Sequence, residues 1–160
     1  MRIVIVVATA LFLQSAPLLA QQEEHPKAWG HGFAGFGAFV DGNSPALYHF
    51  GGGGGGLLAA GVGVNIDLGV VGLVEGGDVV GLFSPGALYA FNRREKLSPF
   101  VTGGYSMLFR SGALHGGFIG GGVNYWLGDS LGLRFEVRDH IFSEGDTAHL
   151  LEGRFSVVFH

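Results

Sequence analysis

The chain has 160 residues, of which 48% are hydrophobic, 14% are charged and 31 are glycine, with a formal net charge of −4 and no cysteine. Soluble domains carry roughly 25% charged residues, so this chain is short of charge. The lack of cysteine excludes a disulfide framework, a thiol nucleophile and a thiolate metal site, and the acidic balance without a basic stripe excludes nucleic acid as a partner.

Met1 and Arg2 precede an apolar run from Ile3 to Leu13. Ser15, Ala16, Pro17 and the small Ala20 then lead into Gln21-Gln22-Glu23-Glu24. That order predicts a secretory signal peptide over residues 1–20, cut after Ala20. The run is too short for the ~20 residues that a helix needs to cross a bilayer. A polar N-terminal tail (21–27) and one domain (28–160) follow. Export without a helical anchor leaves periplasm, outer membrane or medium as destinations.

Glycine costs a helix up to about 1 kcal/mol relative to alanine, so so many glycines point to sheet. Eight strands are expected, at about 28–40, 52–65, 68–75, 79–91, 97–109, 116–127, 131–142 and 149–159. In the first, Gly30-His-Gly-Phe-Ala-Gly35 matches a dinucleotide fingerprint as letters only, without its strand–turn–helix context. Gly51 to Gly56 is no phosphate loop, because no Lys-Ser/Thr follows; it reads as a permissive entry to the second strand. Asn65-Ile66-Asp67 reads as the next turn. Pro85 removes a ladder donor, so a bulge or kink is expected inside the fourth strand.

The connections Asn65–Asp67, Asn92–Ser98 and Gly128–Ser130 fall at the end that holds the termini. Asp41–His49, Glu75–Asp78, Arg110–His115 and Ser143–His149 fall at the other, and are only modestly longer. Trp29, Phe91, Phe100, Tyr125, Trp126 and Phe159 are expected near the first end, and Phe39, Phe109, Phe118 and Phe142 near the second. Two such girdles mark the interfaces of a membrane barrel.

The seventh strand alternates most clearly. Leu131, Leu133, Phe135, Val137 and Ile141 share one face, and Arg134, Glu136, Arg138 and His140 the other, with Asp139 alone breaking the apolar parity. In the eighth, Leu151, Phe155, Val157 and Phe159 oppose Glu152, Arg154 and Ser156. Alternation alone fits a soluble sheet or a membrane barrel turned inside out. Scarce charge favours lipid outside.

Ser98-Pro-Phe-Val-Thr-Gly-Gly-Tyr105, Gly120-Gly-Gly-Val-Asn-Tyr-Trp-Leu127 and Leu131-Gly-Leu-Arg-Phe-Glu-Val-Arg-Asp139 resemble the closing half of small bacterial outer-membrane β-barrel proteins. Gly153-Arg-Phe-Ser-Val-Val-Phe159 is similar to the terminal strand that the barrel-assembly machinery recognises in that family, although His160 follows where an aromatic residue usually ends the strand. The resemblance covers residues 97–160 well and the front half loosely. It implies an all-β, eight-stranded antiparallel up-and-down transmembrane barrel in the outer membrane, surrounded by lipid and monomeric. It also implies that Phe155, Val157 and Phe159 act as the assembly signal.

Pairing the last two strands around Gly145, with partner numbers summing to 290, sets Arg138 against Glu152 and Glu136 against Arg154. A sum of 258 across the preceding turn sets Asn124 beside Arg134, and Gly122 and Gly120 beside Glu136 and Arg138. Arg134, Glu136, Arg138, Glu152 and Arg154 are therefore the expected ionic network of a narrow, largely filled lumen.

No catalytic, cofactor-binding or metal residue is expected. His140 and Ser143 are three apart and fall on opposite faces of a strand. The seven histidines show no short ligand spacing, although His49, His115 and His149 all fall on loops at one end. The expected function is non-enzymatic, in envelope structure or surface contact. The alternatives are a secreted or periplasmic lipocalin-like barrel with its apolar face inward, and a lipid A-modifying enzyme.

Overall fold

Period-two alternation, interrupted by the connections and by the Gly51–Gly56 run, folds as eight strands. The computed structural model describes residues 28–40, 45–92, 95–144 and 146–160; the expected signal peptide and tail lie outside the described residues. The strands are β1 Ala28–Phe39, β2 Ala46–Ala59, β3 Val62–Leu73, β4 Val79–Ala90, β5 Leu97–Phe109, β6 Ala113–Trp126, β7 Leu131–Glu144 and β8 Asp146–Phe159. Each pairs antiparallel with the next, and β1 closes on β8, giving a closed barrel.

Following register partners once round the wall fixes its geometry. The path runs Trp29, Gly55, Asn65, Gly86, Gly104, Phe118, His140, Leu150 and returns to β1 at Phe39. Closure thus shifts the chain ten residues along β1, from Trp29 to Phe39. With standard strand spacing, such a stagger tilts the strands by about 40° to the barrel axis. Strands of 12 to 14 residues at that tilt give a wall roughly 30 Å tall, enough for the apolar band of a membrane barrel.

The wall is apolar outside. Val62, Val64, Ile66, Leu68 and Val70 of β3 are all exposed, as are Leu131, Phe135 and Val137 of β7 and Leu151, Phe155, Val157 and Phe159 of β8. Their strand neighbours Asn65, Asp67, Arg134, Glu136, Arg138, Glu152 and Arg154 are buried inside. A lipocalin-like barrel needs the opposite parity, so that alternative is overturned. Asp139, the break in parity, lies on the outer face and accepts a hydrogen bond from His149 Nδ1 at 2.9 Å.

The front half departs from the sequence expectation. β2 starts six residues earlier than expected, and Gly51–Gly56 lies wholly inside it, paired with β1 on one side and β3 on the other. The β2–β3 turn is Ala60-Gly61, both at positive φ (48° and 90°), a conformation that suits a tight hairpin. Asn65-Ile66-Asp67 is therefore not a turn but the middle of β3. A register shift occurs between Leu57 and Ala59 of β2. None is seen at Pro85, where the β4–β5 ladder skips Ser84 and Pro85 and resumes in the same register.

The aromatic expectation fails in part. Phe100, Phe118 and Phe142 are buried in the lumen, because their even numbers share the inward parity of Thr102, Asn124 and Arg138. Phe91, Phe109, Tyr125 and Phe159 are exposed.

Candidate functional site in the lumen

The lumen holds three kinds of layer, stacked along the axis. At the loop end, Leu47, Val71, Leu82, Phe142 and Leu150 form an apolar cluster, with Phe39, Leu73, Val80, Leu108 and Leu114 packed against it. This stopper resembles the core of a soluble protein, although the outer surface beyond the wall is also apolar.

Next comes a histidine–carboxylate layer. Glu152 accepts hydrogen bonds from His49 Nδ1 at 2.7 Å and His140 Nε2 at 3.1 Å. A carboxylate can only accept, so His140 carries its proton on Nε2, and its Nδ1 accepts the Ser106 hydroxyl at 2.6 Å. His49 in turn meets Phe33 edge-on, with ring centroids 4.7 Å apart.

Below it lies the arginine–carboxylate layer. Glu136 accepts from Arg138 Nε at 2.5 Å and from Arg154 Nη2 at 2.7 Å. Asp67, reaching across from β3, meets Arg138 Nη2 at 2.6 Å, Arg154 Nη2 at 3.1 Å and His31 Nε2 at 2.8 Å. The guanidinium carbons of Arg138 and Arg154 each sit 4.4 Å over a ring, Phe118 and Phe33 respectively. Arg154 and Glu136 are 1% and 0% exposed. Charges so deeply buried are tolerated only when paired.

Glycine makes the room for these long side chains. A Cβ at Gly120 would stand 2.8 Å from Arg138 Cγ, one at Gly86 2.7 Å from Phe118 Cζ, and one at Gly51 2.6 Å from Phe33 Cζ. At Gly53 it would collide with the Asp67 carboxylate. The run Gly51–Gly56 thus has a packing role on its inward face.

Nearer the termini, Arg134 Nε donates to Asn124 Oδ1 at 2.7 Å, and the Thr102 hydroxyl donates to the Ala87 carbonyl at 2.9 Å. Ser98 donates to the Phe91 carbonyl at 2.7 Å.

The five network residues expected from sequence thus all face the lumen, and their register partners are Arg138↔Glu152, Glu136↔Arg154 and Asn124↔Arg134. Glu136 and Arg154 also bond directly. Arg138 does not: among the described residues its ion pairs go to Glu136 and Asp67, while Glu152 is taken by the histidines and lies 3.7 Å from Arg154 Nε. Phe155, Val157 and Phe159 line the outer face of β8. His140 is wholly buried and Ser143 exposed. His49 is not on a loop but inside β2, and His115 and His149 sit on the outer wall, where His115 bonds Tyr105. Among the described residues no group of three or more His, Asp or Glu is arranged to hold a metal.

No protein-family model and no curated protein matches the sequence. Solved structures do match in shape. Neisserial surface protein A is 12% identical with a TM-score of 0.66, over 82% of this chain and 94% of that one. The N-terminal β-barrel domain of Pseudomonas aeruginosa OprF is 16% identical with a TM-score of 0.64, over 86% and 100%. A de novo designed transmembrane β-barrel is 14% identical with a TM-score of 0.60, over 86% and 98%. The fold is that of the eight-stranded transmembrane β-barrels.

Within that barrel, sequence reasoning missed Asp67, His31, His49 and Ser106. The signal for Asp67 is present: Val62, Val64, Ile66, Leu68 and Val70 alternate without a break around it. Extending that period through Asn65 and Asp67 places both inside.

Proposed function

We propose that the chain is an integral outer-membrane protein whose role is structural: a closed, non-enzymatic cylinder with its termini on the periplasmic side. One observation carries this reading. The wall is apolar outside, while the lumen is filled by paired charges and stoppered by Leu47, Val71, Leu82, Phe142 and Leu150. Such a body needs lipid around it and offers solutes no path through it. The predicted signal over residues 1–20 supports export, and the fold is shared with the N-terminal β-barrel domain of OprF and with a protein described as the outer membrane protein OprG of Pseudomonas aeruginosa, at a TM-score of 0.51.

Insertion would use the barrel-assembly machinery, with the exposed Phe155, Val157 and Phe159 as its contact on β8. Against lipid A chemistry, His140 and its partner Ser106 are wholly buried in the lumen, out of reach of lipid, and His140 does not share a face with Ser143.

Fractionation tests the location. The protein is expected in outer-membrane vesicles, resistant to carbonate extraction, and slower on a gel after boiling. Release of folded protein by osmotic shock would refute the reading.

A further inference from the structure

Two polar pairs interrupt the apolar outer wall, both among β5 to β8. The Asp139 carboxylate accepts from His149 Nδ1 at 2.9 Å, and the Tyr105 hydroxyl bonds His115 Nδ1. The pairs share one geometry. Asp139 is the register partner of Leu151, and Tyr105 that of Gly117. Each imidazole sits two residues from that partner, toward the loop end. Both pairs are open to the outside. The side chains of His149 and Asp139 are 42% and 30% exposed, Tyr105 is 40% exposed and His115 is exposed.

Their height on the wall follows from the strands. In β6 ten residues separate His115 from the exposed Tyr125, and in β8 ten separate His149 from the exposed Phe159. At a strand tilt of about 40° that is about 25 Å, the height of the apolar band of an outer-membrane barrel. The two imidazoles also share a level. Ile141 is the register partner of both His149 and Gly117. Two strand steps back from β8 descend about 6 Å, and the two residues from Gly117 up to His115 regain about 5 Å. The rings thus stand at the loop-side edge of the band, with their Cα atoms about 12 Å apart. Asp139 and Tyr105 lie about 8 Å deeper. An outward charge is costly at the middle of a bilayer and nearly free at its edge. Among the described residues β3 and β4 carry no such pair, and Val70, Val74 and Val79 are exposed there instead.

We propose that His115 and His149 are headgroup anchors, each offering Nε2 to the phosphate of a membrane lipid while Tyr105 and Asp139 hold its ring. The inference rests on the reading of the wall as lipid-facing. The pairing assigns the nitrogens. A carboxylate only accepts, so His149 carries a proton on Nδ1; in the protonated ring Asp139 offsets the charge and the Nε2–H donates. With the Tyr105 hydroxyl donating to His115 Nδ1, that ring keeps its proton on Nε2. Donors about 12 Å apart suit two neighbouring headgroups rather than one small ion.

Imidazole nitrogen resonances read the contact. The barrel, with 15N-labelled histidine, is refolded in maltoside micelles, which hold no phosphate. At about pH 6, where an ordinary imidazole is substantially protonated, it is titrated with dihexanoyl phosphatidic acid and with dihexanoylglycerol. Saturable shifts are expected at His115 and His149 with the phosphatidic acid and none with the diacylglycerol. The buried His31, His49 and His140 should not respond. Tyr105→Phe should raise the half-saturating concentration at His115 about threefold to tenfold, the loss of one orienting hydrogen bond, and leave that at His149 unchanged. Heat-dependent gel migration verifies that the variant is folded. No saturable shift, an equal response to the diacylglycerol, or an equal midpoint with inorganic phosphate would overturn the proposal. So would a lipid-free dimer that His149→Gln abolishes, since a second copy would then cover this face. A barrel that resists carbonate extraction yet shows no shift overturns the anchors alone and leaves the membrane reading intact.

Discussion

At the loop end of the lumen, Leu47, Val71, Leu82, Phe142 and Leu150 meet as side chains do in any soluble core, whereas below the histidine–carboxylate layer Asp67, Glu136, Arg138 and Arg154 meet as ions. Both levels fill the lumen, but they do so by different physics. The apolar level is non-directional and asks only for volume. The ionic level is directional: each guanidinium needs named oxygens, a ring beneath it and a glycine beside it. Removing one partner there leaves a charge stranded in a dry interior, while removing a leucine leaves only a void. The ionic level thus fixes register, and the apolar level fixes tightness.

Substitutions at the two levels can break or sharpen this contrast, with urea unfolding of the barrel in lipid vesicles as the readout. The largest loss is expected for Glu136→Ala, which leaves Arg138 and Arg154 to share the carboxylate of Asp67 and should cost about 3–5 kcal/mol. Leu82→Ala, at a site 1% exposed, should cost about 2–4 kcal/mol through the cavity it leaves. An equal or greater loss for Leu82→Ala would remove the distinction between the levels. Ser106→Ala deprives His140 Nδ1 of its donor and should cost about 1–2 kcal/mol.

The smallest effect belongs to the exposed pair Asp78–Arg110 outside the wall. The Arg110 hydrogen bond and charge hold the Asp78 carboxyl below its usual range. Any contribution is therefore present above the ordinary carboxylate pKa and lost as pH falls through the lowered one. Full exposure and salt screening make that contribution small, so Asp78→Asn should leave the unfolding midpoint unchanged at neutral pH.

The same contrast explains what was legible in the sequence. β7 and β8 carry large side chains of opposite character at every second position, so their faces, their registers and the lumen position of Glu136 and Arg154 follow from parity. β2 carries Gly51–Gly56, which has no side chains to alternate, and its boundaries slid by six residues. That slip displaced the next turn onto Asn65-Ile66-Asp67, because Asn and Asp are common turn formers and Ala60-Gly61 is a weaker signal. Asp67 falls out of the expected network with it, and parity alone pairs Arg138 with Glu152 for want of the carboxylate that it bonds across the lumen. Long side chains choose partners across the barrel as well as along the wall, and a pairwise register cannot show that choice.

Single-channel recording tests the central claim, that the lumen is closed at two levels. The wild-type barrel in a planar bilayer should show no conductance steps in 1 M potassium chloride. Leu82→Ala should remain silent, because the ionic level below it is intact. Resolved steps from the wild-type barrel would contradict the account.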